Sequence, residues 1–439
     1  MSKPLRLGIA GLGTVGASVV RIVKSNLTPL DMRAGRPVTI TAVSARNRSK
    51  DRGIDLAGVK WHEDPLDLVA DPDVDVVVEL IGGAHGPAEA LVRAAIAAGK
   101  PVITANKALL AHAGVELARL AEAANVGIGF EAAVAGGIPV IKTLRESLAG
   151  NNINRVFGIL NGTCNYILTR MEREQLSFDV CLKEAQRLGY AEADPTFDVD
   201  GFDTAHKLAI LTSIAFGTEI NVDAIYVEGI RSISLADIKA ADELGYRIKL
   251  LGVARRTDTG IEARVHPTMV PQGSVVAETS GVLNAVALDG DALGEVVLVG
   301  PGAGGNATAS SVIADIVDVA RGHRTAVFGL PVDDLAPYQR AEIQTHKGGY
   351  YVRLEVYDRP GAFAGIAARM AEHGISLESI VQRRRDGEAN GRFDEPTGPQ
   401  PVVLITYATR ETEIRTALDK IEADGHIVSA PTLIRIESL

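Results

Sequence analysis

The chain is poor in aromatic residues and in cysteine. Aromatic side chains make up 4% of its 439 residues, with a single tryptophan, which favours parallel α/β layers over an aromatic-lined β-sandwich. Its two cysteines, Cys164 and Cys181, are too few for a disulfide framework and lie outside metal-binding spacings. We therefore expect a reduced, cytoplasmic setting.

Positive charges are outnumbered by negative ones, 45 to 55, and long hydrophobic runs are lacking. The formal net charge is −10, so we expect no nucleic-acid partner, which would need a basic face. No apolar run reaches the roughly 18–20 residues of a membrane helix, and residues 1–24 contain no signal-peptide cleavage site. An apolar content of 46% over this length predicts two or three domains with buried cores.

A glycine-rich loop follows the first predicted strand. Residues 5–10 are apolar, and Gly11, Gly13 and Gly16 precede residues 17–25, where apolar side chains recur at helical spacing. In such a unit the glycines permit a tight turn, let a pyrophosphate approach the backbone, and let helix pack on strand. The free N–H groups of the helix start would bind phosphates; a glycine turn without a ligand is the alternative. The predicted cofactor-binding positions here are Gly11, Gly13, Thr14, Val15 and Gly16.

A cluster of cations follows the second predicted strand, residues 38–43. An NAD-selective site usually has an acidic residue here, which binds the ribose 2′-hydroxyl. This chain has Arg46, Arg48 and Lys50 instead. Because cations favour a 2′-phosphate, we predict NADP as the cofactor, with NAD also possible. A solvated basic loop is the competing interpretation.

Two more strands, residues 74–81 and 101–104, are predicted on either side of a helical segment, residues 87–99. Lys107 comes just after the second of these strands. Ligands bind at this edge of a parallel sheet, so we expect Lys107 near the cofactor or the substrate. The glycine-rich corner at residues 131–139 is expected from its composition to be a domain crossover.

A second strand, turn and helix start is predicted at residues 158–165. The amides of this turn and a threonine hydroxyl could bind a substrate carboxylate, which points to Gly162 and Thr163. Cys164 could be read as a nucleophile, but no recognisable base lies nearby in the sequence, so we do not favour that role.

The most informative segment is acidic. Residues 185–207 contain five acidic residues and end on Lys207. An Asp-Pro pair stops the preceding helix, so residues 192–201 are predicted to be irregular, and Asp203 shares a helix face with Lys207. Carboxylates can hold an ammonium group and a lysine can protonate a developing alkoxide, which predicts a pocket for a small zwitterion. A surface ion pair is the alternative, and His206 is interpreted as a packing or surface residue.

At this point the sequence resembles the homoserine dehydrogenase family. The matching pattern is Ala185-x-x-x-Gly189-Tyr190-Ala191-x-x-Asp194-Pro195-x-x-Asp198-Val199-x-Gly201-x-Asp203-x-x-x-Lys207. Four further features resemble the family in the same order: the glycine loop, the Asn106-Lys107 turn, the 131–139 corner and the 161–165 segment. The resemblance covers residues 5–325. It implies NAD(P)-dependent interconversion of L-homoserine and L-aspartate 4-semialdehyde, within threonine, methionine and isoleucine biosynthesis.

The resemblance also implies roles for single residues. Lys207 would be the acid/base group at the reacting oxygen, assisted by Asp203, and Lys107 would lie between substrate and nicotinamide. Gly302 would face the cofactor. The substrate-binding positions would be Tyr190, Glu192, Asp198, Gly162 and Thr163, of which Glu192 and Asp198 would orient the amino acid. In place of a simple crossover, the corner would bind a monovalent cation such as sodium through oxygens around Glu131, Val134, Gly136 and Ile138.

The last part of the chain follows a βαββαβ order and resembles an ACT domain, a module that often binds amino acids. The resemblance implies feedback inhibition by L-threonine; an oligomerisation module without a ligand is the alternative. Residues 383–400 form a long polar insertion that we expect to be mobile. A homo-oligomer, dimer or tetramer, is expected.

The predicted fold class is α/β, with a Rossmann-type dinucleotide-binding domain, an α+β catalytic and dimerisation domain, and a C-terminal βαββαβ ACT-like domain. The predicted boundaries are 1–131 with about 302–322 for the first domain, 132–301 for the second, 323–348 for a linker and 349–439 for the third.

Two other functions remain open. Another NADP-linked amino-acid dehydrogenase, acting on a different semialdehyde, would use the same scaffold, although the segment 192–207 argues against it. A nucleotide-binding amino-acid sensor without catalysis would account for the end domains but not for the pair of Asp203 and Lys207.

Overall fold

A computed structural model describes residues 3–341, 347–357, 359–382 and 398–437. Most of the predicted insertion at 383–400 lies outside these ranges. The strands are β1 (Leu5–Ala10), β2 (Val38–Ser44), β3 (Lys60–His62), β4 (Val76–Glu79), β5 (Val102–Thr104), β6 (Ile128–Gly129), β7 (Ile153–Ile159), β8 (Tyr226–Val227), β9 (Tyr246–Thr257), β10 (Gly260–Pro271), β11 (Leu283–Gly290), β12 (Gly294–Pro301), β13 (Lys347–Val356), β14 (Leu377–Gln382), β15 (Gln400–Thr406), β16 (Thr409–Arg410) and β17 (Thr432–Ile436).

Helices connect and cover these strands. They are α1 (Thr14–Ser25), α2 (Leu27–Ala34), α3 (Asp67–Ala70), α4 (Pro87–Ala97), α5 (Lys107–Ala123), α6 (Val140–Lys142), α7 (Gly162–Glu174), α8 (Phe178–Arg187), α9 (Thr196–Val199), α10 (Phe202–Phe216), α11 (Leu235–Glu243), α12 (Val275–Glu278), α13 (Gly305–Arg321), α14 (Ala362–Glu372) and α15 (Glu411–Ala423). In the described part of the chain, no helix is both long enough and apolar enough to span a bilayer.

The first sheet has the strand order β3-β2-β1-β4-β5-β6, and all its pairs are parallel. The apolar side chains of β1 pack against α1 and α13, so α13 returns to this sheet although it follows β12 in the chain. The order reverses between β1 and β4, and ligands bind at such a switch point in doubly wound sheets. The predicted Rossmann-type unit is confirmed.

The second sheet is mixed and runs through two parts of the chain. Its order is β12-β11-β7-β9-β10-β17-β13-β15-β14. The C-terminal strand β17 pairs parallel with β10 and antiparallel with β13. The ACT-like unit thus continues the sheet formed by β7 and β9–β12 through direct backbone hydrogen bonds.

Local structure departs from prediction at one turn. Residues 196–199 form the short helix α9, so the prediction of an irregular segment over 192–201 is wrong there; Asp194 Oδ1 accepts the Thr196 N–H, 3.1 Å away, and starts the turn. In the stretch predicted as a linker, Val327 and Phe328 are buried and Ala341 N donates to Ile261 O at 2.9 Å.

Candidate active site

Two lysines share one buried aspartate at the junction of the two sheets. Lys207 Nζ lies 2.7 Å from Asp203 Oδ2, and Lys107 Nζ lies 2.9 Å from Asp203 Oδ1. Lys207 also donates to the carbonyl of Leu160 at 2.7 Å, at the end of β7. Asp203 and Lys207 are one helical turn apart on α10, whereas Lys107 is the first residue of α5. These three side chains form a row, Lys207–Asp203–Lys107, and the fold assembles this row from helices that follow two different sheets.

The row is electrostatically asymmetric. Burial raises the pKa of Asp203, but the two lysines outweigh that effect and hold it well below its usual range. Burial lowers the pKa of Lys207, against the opposing attraction of Asp203. Burial also pulls the pKa of Lys107 down, but the surrounding carboxylates more than compensate and raise it. Lys207 is thus the lysine that gives up a proton more readily.

Asn161 connects the acidic segment to the lysines, and sequence reasoning missed this role. Its Nδ2 donates to Asp198 Oδ1 and to Asp203 Oδ2, both at 2.8 Å, while its Oδ1 caps α7 by accepting from Cys164 N. Burial and the nearby Asp203 raise the pKa of Asp198. The sequence could have indicated this role of Asn161, because a polar residue between a buried strand and the start of a helix often binds nearby polar groups.

The other predicted substrate-side residues lie around this row with different exposure. Gly162 begins α7 and Thr163 follows, but the Thr163 hydroxyl already donates to Tyr190 O at 2.7 Å. The side chain of Tyr190 is 44% exposed. Glu192 is exposed and close enough to contribute to the field at Lys107. At this turn the predicted contact with a substrate carboxylate would therefore fall to backbone amides rather than to the Thr163 hydroxyl.

Cys164 and His206 were considered from the sequence as catalytic residues, and neither has the environment of a catalytic group. Cys164 is fully buried, and burial together with nearby carboxylates raises its thiol pKa, which disfavours a thiolate nucleophile. His206 packs edge-on against Phe197 and His112, with ring centroids 5.2 and 5.1 Å away. These environments agree with the structural interpretation of both residues.

The glycine loop has the geometry of a dinucleotide site. Gly11 has φ of +98°, and a Cβ there would lie 2.4 Å from Leu80 O; a Cβ on Gly16 would lie 2.0 Å from Gly11 O. Nothing lies within 4 Å of the Cβ position of Gly13. Thr14 and Val15 are the first residues of α1, so their N–H groups have no acceptor within the helix.

The predicted basic loop and the glycine loop border one cavity of about 450 Å³. Its lining includes Arg46, Lys50 and Arg52 together with Gly11 and Gly13. Arg52, which sequence reasoning missed, donates to Leu12 O at 3.0 Å and to Asn47 O at 2.7 Å. Arg52 therefore stabilises the conformation of the loop. In the sequence, the run of cations that precedes it could have indicated this role. Arg48 lies over the Trp61 ring instead, 6.0 Å from its centroid.

The corner at residues 131–139 bends sharply beside Gly302. Ala135 and Gly136 have φ of +56° and +53°, and a Cβ on Gly136 would lie 2.4 Å from Gly302 O. Buried Glu131 accepts the N–H groups of Ile141 and Lys142, both at 2.8 Å. Predicted positions Val134 and Ile138 lie on the same buried turn.

Comparison with known proteins agrees with this arrangement. Three family models match the chain: homoserine dehydrogenase over residues 139–317, the homoserine dehydrogenase NAD binding domain over 11–131, and the ACT domain over 350–425. The homoserine dehydrogenase of Neisseria gonorrhoeae is 45% identical over 451 residues, covering 100% of this chain and 99% of the relative. The chain belongs to the homoserine dehydrogenase family. The enzyme of Pseudomonas aeruginosa is 44% identical, with each chain covered completely.

Solved homoserine dehydrogenases share the architecture. The structure from Thiobacillus denitrificans superposes with a TM-score of 0.92 at 43% identity, covering 99% of both chains. A hyperthermophilic archaeal homoserine dehydrogenase in complex with NADPH matches 74% of this chain at 28% identity, with a TM-score of 0.63. As a homoserine dehydrogenase, the chain is an oxidoreductase of amino-acid biosynthesis that acts on a CH–OH group, with an NAD(P)-binding domain and a C-terminal ACT domain.

Proposed function

We propose that the protein interconverts L-homoserine and L-aspartate 4-semialdehyde with Lys207 as the acid/base group, as a step toward threonine, methionine and isoleucine. The observation that carries this assignment is the row Lys207–Asp203–Lys107, in which an aspartate with a depressed pKa joins a buried lysine to a partly exposed one. Lys107 follows β5 at the same carboxyl edge of the first sheet at which the glycine loop follows β1, and this supports a reaction between cofactor and substrate at this point.

The chain's own groups would handle the proton. In the reductive direction Lys207 gives a proton to the oxygen as negative charge develops there; in the oxidative direction it takes the hydroxyl proton. Burial lowers the pKa of Lys207, which eases the loss of its proton. Asp203 holds both lysine heads in place. Asp198 and Glu192 would hold the ammonium of the amino acid, and the amides of Gly162 and Thr163 its carboxylate, beside Tyr190.

We assign NADP as the preferred cofactor, held at Gly11, Gly13, Thr14, Val15 and Gly16, with Arg46 at the 2′-phosphate and Gly302 and Lys107 near the nicotinamide. When bound, NADP would accept or supply the hydride. The open side of Gly13 and the absence of an acidic residue among Arg46, Asn47 and Arg48 support this choice. The solved structure of the related archaeal enzyme is a complex with NADPH.

One assay tests the proposal as a whole. Homoserine oxidation is followed with NADP and with NAD, each with and without millimolar threonine. We expect activity with both cofactors, a higher kcat/KM with NADP, and inhibition by threonine. No oxidation of homoserine alongside turnover of another amino-acid alcohol would contradict the substrate, and equal rates with and without threonine would contradict the regulation.

The basic loop gives a sharper prediction about the cofactor. In Arg46→Ala, the Kd for NADP should rise about 10- to 100-fold, because a charge-assisted hydrogen bond to phosphate contributes about 1.5–3 kcal/mol, whereas the Kd for NAD should stay within about twofold. Arg48→Ala is the matched control, since Arg48 lies over Trp61. Equal weakening of both cofactors in Arg46→Ala would refute the 2′-phosphate contact.

A monovalent cation, with sodium as the first candidate, is proposed at the corner around Glu131, Val134, Gly136 and Ile138. Backbone and carboxylate oxygens are the donors that hard cations prefer. Among the described residues, no group of three or more His, Cys, Asp or Glu side chains could hold a metal, so carbonyl oxygens would supply most ligands.

Ion-dependent melting tests that site. The melting temperature should be higher in sodium chloride than in choline chloride at equal ionic strength, because an ion bound only by the folded state stabilises it. Glu131→Gln should remove the difference. Identical melting in both salts would exclude a sodium site.

Threonine is proposed to act through the ACT-like unit, which is tied to the substrate-side part by buried charges. Arg353 Nε lies 2.7 Å from Asp237 Oδ1 on α11, and Arg435 on β17 contacts both Glu411 and Glu228. These contacts support coupling between the two parts.

The proposed domains are residues 1–131 with about 302–322 for dinucleotide binding, 132–301 for catalysis and dimerisation, a linker at 323–348, and the ACT-like domain at 349–439. The protein is also proposed to be a homo-oligomer. Limited proteolysis tests the domain boundaries, and light scattering tests the oligomeric state.

A further inference from the structure

A buried side-chain amide without a partner lies between the two halves of the proposed site. Asn284 belongs to β11 and is 1% exposed. Across the described part of the chain, neither its Oδ1 nor its Nδ2 finds a hydrogen-bond partner. Buried amides nearly always pair, since an unpaired one forfeits its hydration without compensation. Such an exception calls for a functional explanation.

Two glycines frame this amide. A Cβ built on Gly302 would lie 2.0 Å from Cγ of Asn284, and a Cβ on Gly162 would lie 3.6 Å from its Oδ1. Gly162 begins α7 on the substrate side, and Gly302 belongs to the connection between β12 and α13. The amide therefore lies where the substrate-side helix meets the cofactor-side loop.

The backbone that carries Asn284 is held firmly. Leu283 O accepts the side-chain N–H of Asn165 at 3.0 Å, and Ala285 pairs with Ile159 of the central strand β7. Asn284 itself lies opposite Gly300 in the ladder between β11 and β12. Its position is thus fixed by the sheet, which suits a group that orients a ligand.

The hydrogen-bonding groups of a side-chain amide limit which ligand groups could pair with Asn284. A primary amide offers both donors and an acceptor. A carboxylate would satisfy only Nδ2 and an ammonium only Oδ1, and the proposed function already gives those substrate groups to other residues. A carboxamide satisfies both atoms at once, because it presents an acceptor and a donor side by side. Among the reactants, the nicotinamide ring carries such a group.

We propose, resting on the proposed function, that Asn284 is a cofactor-binding residue whose amide pairs with the nicotinamide carboxamide. Gly302 lies against the amide, so it must shift when the cofactor binds. Gly304, two residues further on, has φ of +111° and no atom within 4 Å of its Cβ position. Asn284 would thereby set which face of the ring meets the substrate.

The test compares two cofactors on the full-length enzyme. Calorimetric Kd values are measured for NADPH and for its reduced 3-acetylpyridine analogue, in which a methyl group replaces the carboxamide NH₂. The proteins are the wild type, Asn284→Ala and the near-isosteric Asn284→Leu, with homoserine KM as a parallel readout. We expect the wild type to bind NADPH at least tenfold more tightly than the analogue, and both variants to bind the two equally.

Thermal melting separates a binding role from a structural one. Removing an unpaired amide should leave the melting temperature of ligand-free Asn284→Leu unchanged or higher, while the rise produced by NADPH becomes smaller. Equal weakening of both cofactors, or persistent discrimination in the variants, would overturn the proposal. So would a raised homoserine KM with unaltered cofactor affinities, which would assign the amide to the substrate. Oxidation of homoserine by the wild type is measured separately. Loss of that activity would contradict the proposed function, whereas the cofactor affinities test the role of Asn284.

Discussion

Replacing Lys207 with methionine is expected to lower kcat for homoserine oxidation by about 10²–10⁴-fold, the usual contribution of general acid–base catalysis. The Kd for NADPH should remain unchanged, because Lys207 lies with Asp203 and Leu160 O rather than at the glycine loop. Stopped-flow turnover and calorimetric binding measure the two quantities.

The pH profile identifies the role more specifically. Oxidation needs the neutral amine, so the wild-type rate should rise with pH through the pKa of Lys207, which burial holds below the ordinary lysine value. In Lys207→Met that rise should vanish. A variant that kept both turnover and the alkaline rise would refute proton transfer by this lysine.

A second buried lysine provides the control. Lys249 is 2% exposed, donates to Asn165 Oδ1 and Thr279 O, and burial lowers its pKa to about 8. Lys249→Met removes a buried ammonium outside the row. It should therefore destabilise the protein while retaining turnover and the alkaline rise.

Replacing Asp203 with asparagine is expected to destabilise the protein by about 3–5 kcal/mol, because two lysines then lose a buried counter-charge. Turnover should also fall by about 10²-fold, since the lysine heads lose the anion that positions them. Chemical denaturation at neutral pH and steady-state kinetics measure the two effects.

The pH dependence of this stabilisation has a defined sign. The pKa of Asp203 is depressed in the folded state, so its contribution is present above the unfolded aspartate value of about 3.9 and is lost as pH falls through the folded value. The contribution of the Asp203 carboxylate itself should therefore stay constant between pH 5 and 8. The double variant Asp203→Asn/Lys207→Met should recover stability but not turnover; additive losses would contradict the shared ion pair.

Elements with a strong local pattern were predictable. The strand at residues 5–10 and the helix over residues 87–97 follow from apolar spacing and from glycine and proline signals. The pairing of Asp203 with Lys207 followed from a separation of four residues on one helix. The helical turn at residues 196–199 was missed, because one turn is too short to produce a periodic pattern.

Contacts between distant segments were not predictable in this way. Asn161 reaches Asp203 across 42 residues of chain, and nothing in the sequence near either residue reports that proximity. The same holds for Thr163, whose hydroxyl was expected to be free but donates to Tyr190 O. The pairing of β17 with β10 also joins segments far apart, and their strand patterns alone specify no partner.

The family, the glycine loop and the helix that carries Asp203 and Lys207 were evident from the order of residues alone, because each is a short-range arrangement. The packing of the folded chain was needed to show that Lys107 shares Asp203 with Lys207, and that Asn284 lies unpaired between Gly162 and Gly302. Those outcomes depend on which strand ends meet when separate sheets pack. Burial then sets the charges: the same aspartate and lysines on a surface would be an ordinary ion pair of small effect.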